Sequence, residues 1–415
     1  MSNRRVVITG LGCVTALGET ADTLFDALCK SQSGISAIET FDSSQYSVHF
    51  GGEIKNFKAD QYIEFHEAKR MDRFTQMAYA SAVIAVKDSG LDFEKEDKYR
   101  TAVVVGTGIG GLKEIEEQHI RLLEKGPRKV SPFCVPKLMA NAASGCISIQ
   151  YGLRGPNFCI VTACASAGHA IGEAFYNILN DRSDIAITGG SEAALTPIGL
   201  ASFCALKSLS TRNDDPTRAS RPFDKDRDGF VLGEGAGILI LEEYEHARKR
   251  GAKIYAEMLG YGATGDGHHI TAPLADGAGG AVAMQAALKQ ARINTDQIDY
   301  INAHGTSTQL NDIAESLAIK TVFGDHAYKL AISSTKSCLG HSLGASGGIE
   351  LIVAAKTIQT GVIHPTANLE VVDPECDPKM DYVPGAARKA NVRYALSNSL
   401  GFGGHNCALI IGKVS

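Results

Sequence analysis

Residues 161–174 read VTACASAGHAIGEA. A run with strand character, NFCIVTA at 157–163, ends just before Cys164, and a helical pattern begins directly after it. A thiol at that seam has two readings. The unpaired N–H groups and dipole of a helix start favour negative charge, so a cysteine there is more acidic than a free one and suits attack on an acyl group. It is equally a small buried hydrophobe, as cysteines commonly are.

Further reactive groups follow in the second half. IDYINAHGTST carries His304, and SSTKSCLGHSLG carries Lys336 and His341, each just beyond a strand-like run. Loops at strand ends in α/β layers converge on ligands. Imidazole N–H groups there can polarise a carbonyl, and a lysine can tune their protonation. NSLGFGGHN (398–406) adds a glycine-dense loop. Its backbone N–H groups offer half of an oxyanion hole, with the Cys164 N–H as the other half; the same glycines also suit a tight turn before the last strand.

Such groups need elements to hold them. Strand-like runs lie at 5–11, 101–107, 157–163, 184–190, 235–244, 298–304, 330–335, 394–399 and 407–413, and another begins after KRGAKIYAE. Several are unbroken Val/Ile/Ala runs, as in strands buried on both faces. Helical patterns at 71–89, 167–180 and 280–291 alternate with them, which predicts an α/β layered protein. TACASAGHAIG (162–172) and TKSCLGHSLG (335–344) share a T…GHxxG skeleton, so the chain reads as two related halves, 1–250 and 251–415.

Composition bounds the function. The 415 residues are 44% hydrophobic and 21% charged, enough apolar material for a large core. A net charge of −5 speaks against bulk nucleic-acid binding. No apolar run approaches the ~20 residues that cross a bilayer, and MSNRRVVITGLG leaves no room for a signal peptide. The ten cysteines are scattered with no CxxC pair, so neither a zinc site nor a disulfide framework is indicated. A reducing cytosol or organelle matrix fits.

Two motifs are decoys. GTGIGG (106–111) matches a dinucleotide fingerprint, but it leads into the charged segment LKEIEEQHIRLLEKGPRK rather than the rest of that unit. DKDRDGFVLGEG (224–235) imitates a calcium loop through Asp224, Asp226, Asp228 and Gly229, yet Gly235 stands where the bidentate glutamate belongs.

TACAS around Cys164, NAHGTST around His304, STKSCLGH around Lys336 and His341, and GFGGHN together resemble the elongating β-ketoacyl-acyl-carrier-protein synthases, of the synthase II type. RPFDKDRDGFVLGEGAG is similar to another block of that family, and the resemblance runs in order along essentially the whole chain. It implies a thiolase-like fold, two related βα halves in a five-layered αβαβα arrangement, normally a homodimer. The implied reaction is a decarboxylating condensation. Cys164 takes the acyl chain as a thioester, and malonyl-acyl-carrier protein loses CO2 to give the carbanion that attacks it. His304 and His341 would bind the malonyl thioester carbonyl, Lys336 would tune them, and Glu315 would be the carboxylate partner of Lys336. Phe402 would be the gate and second oxyanion donor, with Thr306 and Thr308 along the phosphopantetheine arm.

The same resemblance places Ile109 at the floor of the acyl pocket, with Phe203 lining it. Lys69, Arg70, Arg128, Lys129 and Lys207 match positions that meet the acidic carrier protein, though each also reads as ordinary solvated charge. No cofactor is implied, because the substrates arrive on phosphopantetheine. No metal is required, but a structural monovalent cation sits in some members near the positions of Asn302 and Glu350. Leu400, the Cys338–Leu339 pair and Gln309 depart from the usual pattern without removing a reactive group. A polyketide ketosynthase is the alternative enzyme, having the same reactive residues. A coenzyme A thiolase would want a second cysteine where GFGGHN stands; a non-condensing chain-length factor would lack Cys164. An oxidoreductase would rest on GTGIGG alone.

Overall fold

Unbroken apolar strands need apolar cover on both faces. The computed structural model, which describes residues 4–414, provides it. The first half of the chain contributes β1 (Val6–Val14), β2 (Thr101–Gly106), β3 (Asn157–Ile160), β4 (Ile185–Glu192) and β5 (Gly235–Glu243). From the second half come β6 (Ala256–Gly265), β7 (Tyr300–Asn302), β8 (Ala331–Ser333), β9 (Tyr394–Gly401) and β10 (His405–Gly412). Side chains alternate across a strand. In β2, Ala102 and Val104 therefore join a central apolar cluster, while Val103 and Val105 join an outer one. In β10, Leu409 and Ile411 face the central cluster, and Ala408 and Ile410 face a third.

Helices fill the gaps so created. Helix α1 (Arg73–Ser89) covers the first outer face; the Asp72 carboxylate caps its start and Gly90, left-handed at φ 66°, ends it. Helices α2 (Ser166–Leu179) and α5 (Ser346–Thr360) pack together between the two sets of strands. Helices α3 (Ala278–Ala291) and α4 (Gln309–Phe323) close the far side. The result is the five-layered thiolase-like arrangement. Among the described residues, no helix is long and apolar enough to cross a membrane.

The strands run in the order β8-β7-β9-β10-β6-β1-β5-β4-β2-β3, joined at the middle by three residue pairs between β1 and β6. Numbered within its own half, each set of five reads 3-2-4-5-1, with the same parallel and antiparallel pairings. The halves thus share one topology, but the correspondence differs from the sequence echo. Ala163–Ala165 is a 3-10 turn entering α2, and Leu343–Ala345 is a 3-10 turn entering α5. Ala163 and Leu343 each open that turn with positive φ, 49° and 43°. CASAG therefore matches GASGG, and Cys164 matches Gly344, whereas the GHxxG alignment paired His169 with His341. Backbone conformation decides the register, and those two histidines occupy different places: a helix and the loop before a turn. The strand at 157–163 also stops at Ile160, because the chain leaves the sheet to make the turn.

Close approach of α2 and α5 needs small residues. A Cβ on Gly347 would lie 2.9 Å from the Gly168 backbone nitrogen and 2.9 Å from Ser399 Oγ. Gly→Ala inside a helix normally stabilises by ~1 kcal/mol. Here Gly347→Ala should instead lower stability by ~1–3 kcal/mol through overpacking, read from denaturant unfolding midpoints. An unchanged or raised midpoint would mean that the helices are not in backbone contact.

Candidate active site

Cys164 sits on the turn that β3 and α2 share, buried at the wall of a cavity of about 740 Å³. His304, two residues past β7, and His341, just ahead of the turn into α5, line the same cavity. Their rings stand edge to face, 5.2 Å between centroids. Thr306 and Thr308 line it too, with hydroxyls 2.9 Å apart, as do Ile109, Phe203, Lys207, Leu400 and Phe402. The sequence-predicted reactive residues therefore converge from both halves.

Lys336 stands behind the histidines. It is fully buried on the short helix Lys336–Leu339, and its ammonium contacts His304 Nδ1 at 3.3 Å. An ammonium can only donate, so Nδ1 accepts and the His304 proton resides on Nε2. The carboxylate paired with Lys336 is Glu350 of α5, and not Glu315. Glu315, on α4, is turned the other way: it accepts the N–H groups of His304 and Gly305, each at 2.8 Å, and the Asn398 amide at 3.1 Å. It fixes the His304 backbone, and burial pushes its carboxyl up to about 7. His341 Nδ1 lies 3.0 Å from Ser346 Oγ, and the His341 N–H donates to the Val231 carbonyl at 2.7 Å. Phe230 packs edge-on against the His341 ring.

Those last contacts give the DKDRDG block its place. Arg227 reaches from it to the carbonyls of Thr308 and Gln309, while Asp224 accepts the N–H groups of Asp226, Glu370 and Val371. It is a brace under both histidine loops. GTGIGG likewise holds no nucleotide fold; Thr107, Gly108 and Ile109 bond to buried Glu192. Sequence reasoning missed Ser346 and Glu192 altogether and assigned the partner of Lys336 to the wrong helix. A signal existed for Glu350, a lone acid in the apolar run SGGIELIVAA.

The electrostatics correct one expectation. The Cys164 thiol is not more acidic than a free one: burial pushes it up to about 12, against the pull of Lys336 and the Phe402 N–H. A helix-start dipole acts near water-exposed ends, and removing a thiolate from water outweighs it. Burial also holds both histidines well below their ordinary value, reinforced by the Lys336 charge. The site rests with a thiol and two neutral imidazoles. Gly401 brings the 398–406 loop close by, for a Cβ there would fall 3.2 Å from the Cys164 nitrogen.

The surface residues divide. Lys207 lines the cavity, with φ 54° at a turn. Lys69, Arg70, Arg128 and Lys129 are exposed and stand outside the cavity lining. Lys69 lies over the Phe65 ring, and Arg70 lies 5.2 Å from the Phe133 ring, which brings the 65–70 and 127–133 segments together. Buried Asn302 Oδ1 and Glu350 Oε2 have no hydrogen-bond partner. Two orphaned oxygens fit a monovalent cation.

Comparison with known proteins agrees with this arrangement. Residues 3–247 match the family model described as beta-ketoacyl synthase, N-terminal domain, and residues 255–370 match its C-terminal domain. The chain belongs to the beta-ketoacyl synthase family. It is 51% identical over 413 residues to a 3-oxoacyl-[acyl-carrier-protein] synthase 2 of Synechocystis, covering 100% of this chain and 99% of the relative. A protein of the same description from Staphylococcus aureus is 50% identical, with 99% of each chain covered. Among solved structures, a beta-ketoacyl synthase from Burkholderia phymatum superposes with a TM-score of 0.92 at 37% identity, covering 99% of this chain and 100% of the other. A type II PKS ketosynthase, solved in complex with its acyl-carrier protein, gives 0.93 at 35%, with both chains covered in full.

The ring protonation is testable. Nitrogen-15 NMR of labelled histidine should show His304 and His341 neutral at pH 6, assigned by difference with His304→Gln and His341→Gln. Their protonation should begin only well below pH 6.5, since burial and Lys336 both disfavour the cation. Lys336→Met should move the titration upward. Titration of either ring near 6.5 in the unaltered protein would contradict the electrostatic reading.

Proposed function

We propose that the protein condenses an acyl group held on Cys164 with malonyl-acyl-carrier protein, lengthening a fatty acyl chain by a decarboxylating Claisen step. The observation that carries this is the meeting of one thiol and two neutral histidines on one cavity wall. The 51% and 50% identity to full-length relatives described as 3-oxoacyl-[acyl-carrier-protein] synthase 2 supports the fatty-acid reading.

In the first half-reaction the Cys164 sulfur attacks the acyl thioester carbon, and its proton passes to the departing phosphopantetheine sulfur. The carbonyl oxygen gains charge within reach of the Cys164 and Phe402 N–H groups. In the second, the malonyl thioester carbonyl accepts from His304 Nε2–H and from His341. Carbon dioxide leaves with its bonding pair passing into an enolate, whose carbon attacks the acyl thioester. The Cys164 thiolate departs, takes up a proton, and releases the β-ketoacyl product. Neutral imidazoles serve this better than cations, because each N–H must donate to the developing enolate without first yielding its proton. Thr306 and Thr308 line the approach of the arm, and Ile109 with Phe203 bounds the acyl end. Asn302 and Glu350 would hold a monovalent cation, which would supply positive charge beside the buried glutamate.

The carrier protein docks, in this reading, on the basic positions Lys69, Arg70, Arg128, Lys129 and Lys207, of which Lys207 lines the cavity. Its acidic surface supplies the complementary charge. Two halves, 1–250 and 251–415, form one catalytic unit. A homodimer is supported by apolar side chains left exposed around edge strand β3, including Ile149 at 81% and Val161 at 54%.

Cys164→Ser should abolish condensation, and mass spectrometry after incubation with an acyl donor should locate the label on Cys164 of the unaltered chain. His304→Ala or His341→Ala should lose ~100-fold or more in malonyl decarboxylation while Cys164 still acylates. Label on another cysteine, or full decarboxylation in both variants, would overturn these roles. Ile109→Phe should block long acyl chains and spare short ones by ~1–2 decades, the equivalent of ~1–3 kcal/mol of overpacking. An unchanged ratio of elongation rates would remove Ile109 from the pocket.

A further inference from the structure

Glu192 ends β4 with no solvent exposure, and no step above uses it. Its Oε1 accepts the Thr107 hydroxyl at 2.9 Å and the Ile109 N–H at 3.2 Å. Its Oε2 accepts the Gly108 N–H at 2.6 Å and the Gly344 N–H at 3.0 Å. One carboxylate therefore ties three segments together: its own strand, the loop carrying Ile109, and the turn entering α5. Burial pushes its carboxyl up and the four donors pull it down. Only the ionised form can accept from three N–H groups and a hydroxyl at once.

The apposition is tight. A Cβ on Gly108 or on Gly344 would lie 2.7 Å from Glu192 Oε2, and one on Gly344 would lie 2.2 Å from the Gly108 nitrogen. Gly344 is the counterpart of Cys164 in the second half. The turn it belongs to is spanned by the His341–Ser346 hydrogen bond. Ile109 lines the cavity on one side of this knot, and His341 and Leu343 line it on the other.

We propose that Glu192 is a positioning residue that holds the floor of the acyl pocket at a set spacing from the His341 turn, so that chain-length selection depends on a carboxylate that never touches substrate. This rests on the reading of Ile109 as pocket floor. Replacing Glu192 with glutamine keeps the shape but turns an NH2 group toward N–H donors, which frees the Ile109 loop or the Gly344 turn.

The test measures elongation of short and long acyl-carrier proteins by the full-length enzyme. Glu192→Gln should raise the long-to-short ratio of kcat/KM by about tenfold, the scale of one lost charge-assisted hydrogen bond. In an Ile109→Ala background the same substitution should leave the ratio unchanged, because the residue through which it acts is already gone. Thr107→Val, which keeps the carboxylate and removes one donor, should shift the ratio the same way by less, and it serves if Glu192→Gln does not fold. A fall in stability with both chain lengths slowed equally would reduce Glu192 to a structural role and overturn the proposal. So would an additive effect in the Ile109→Ala background. Failure of the pocket-floor reading itself would appear separately, as an unchanged ratio in Ile109→Phe.

Discussion

A lysine with its charge fully buried sets the terms for the rest of the site. Lys336 is out of water, so its ammonium requires a counter-charge, and Glu350 on the central helix α5 provides one. Removing one partner of such a pair typically costs ~3–5 kcal/mol, because the other charge is left stranded. The pair thereby locks the segment after β8 to α5. The remaining donor capacity of the ammonium falls on His304 Nδ1, which fixes that ring's tautomer, and its charge reinforces the burial that keeps both histidines neutral. One buried ion pair thus sets position and tautomer, and burial with the lysine's charge sets the charge state.

Buried carboxylates do similar work elsewhere around the cavity. Glu315 holds the backbone of His304 and Gly305, Glu192 holds the Ile109 loop and Gly344, and Asp312 accepts the Thr306 and Phe223 N–H groups. The loops that carry function leave the sheet, so strand and helix ladders no longer satisfy their N–H groups. Inside the protein no water is at hand to replace them. An acid on a neighbouring helix or strand fills the gap and makes an irregular loop rigid. The cavity wall is ordered for that reason, although the reactive residues lie outside the regular elements.

The two halves share a topology and a positive-φ turn, yet only one turn carries a thiol. In the first, the turn presents Cys164 to the cavity beside the Phe402 amide. In the second, glycine replaces cysteine, and an internal carboxylate oxygen rests on the turn's N–H. The two turns share a backbone conformation, and side chains make them different. The second turn instead holds a histidine through Ser346, so the thiol comes from one half and both cavity histidines come from the other.

Much of this was legible in the sequence. Apolar runs such as TAVVVG and CALIIG specify strands covered on both faces, because side-chain alternation leaves no polar face to expose. Reactive residue types at strand ends marked Cys164, His304, Lys336 and His341, and the family motifs around them placed Phe402, Ile109 and the threonines. What the sequence could not decide were pairings between segments far apart in the chain. The partner of Lys336 is an acid 14 residues on rather than 21 back, because α5 and not α4 passes beneath it. The correspondence between halves follows backbone torsions, so Cys164 pairs with Gly344 although GHxxG suggested otherwise. Thiol acidity was misread for the same reason. Local sequence specifies a helix start, but the solvent exclusion that raises the Cys164 pKa is created by both halves closing on one cavity, and burial is a property of the assembled fold.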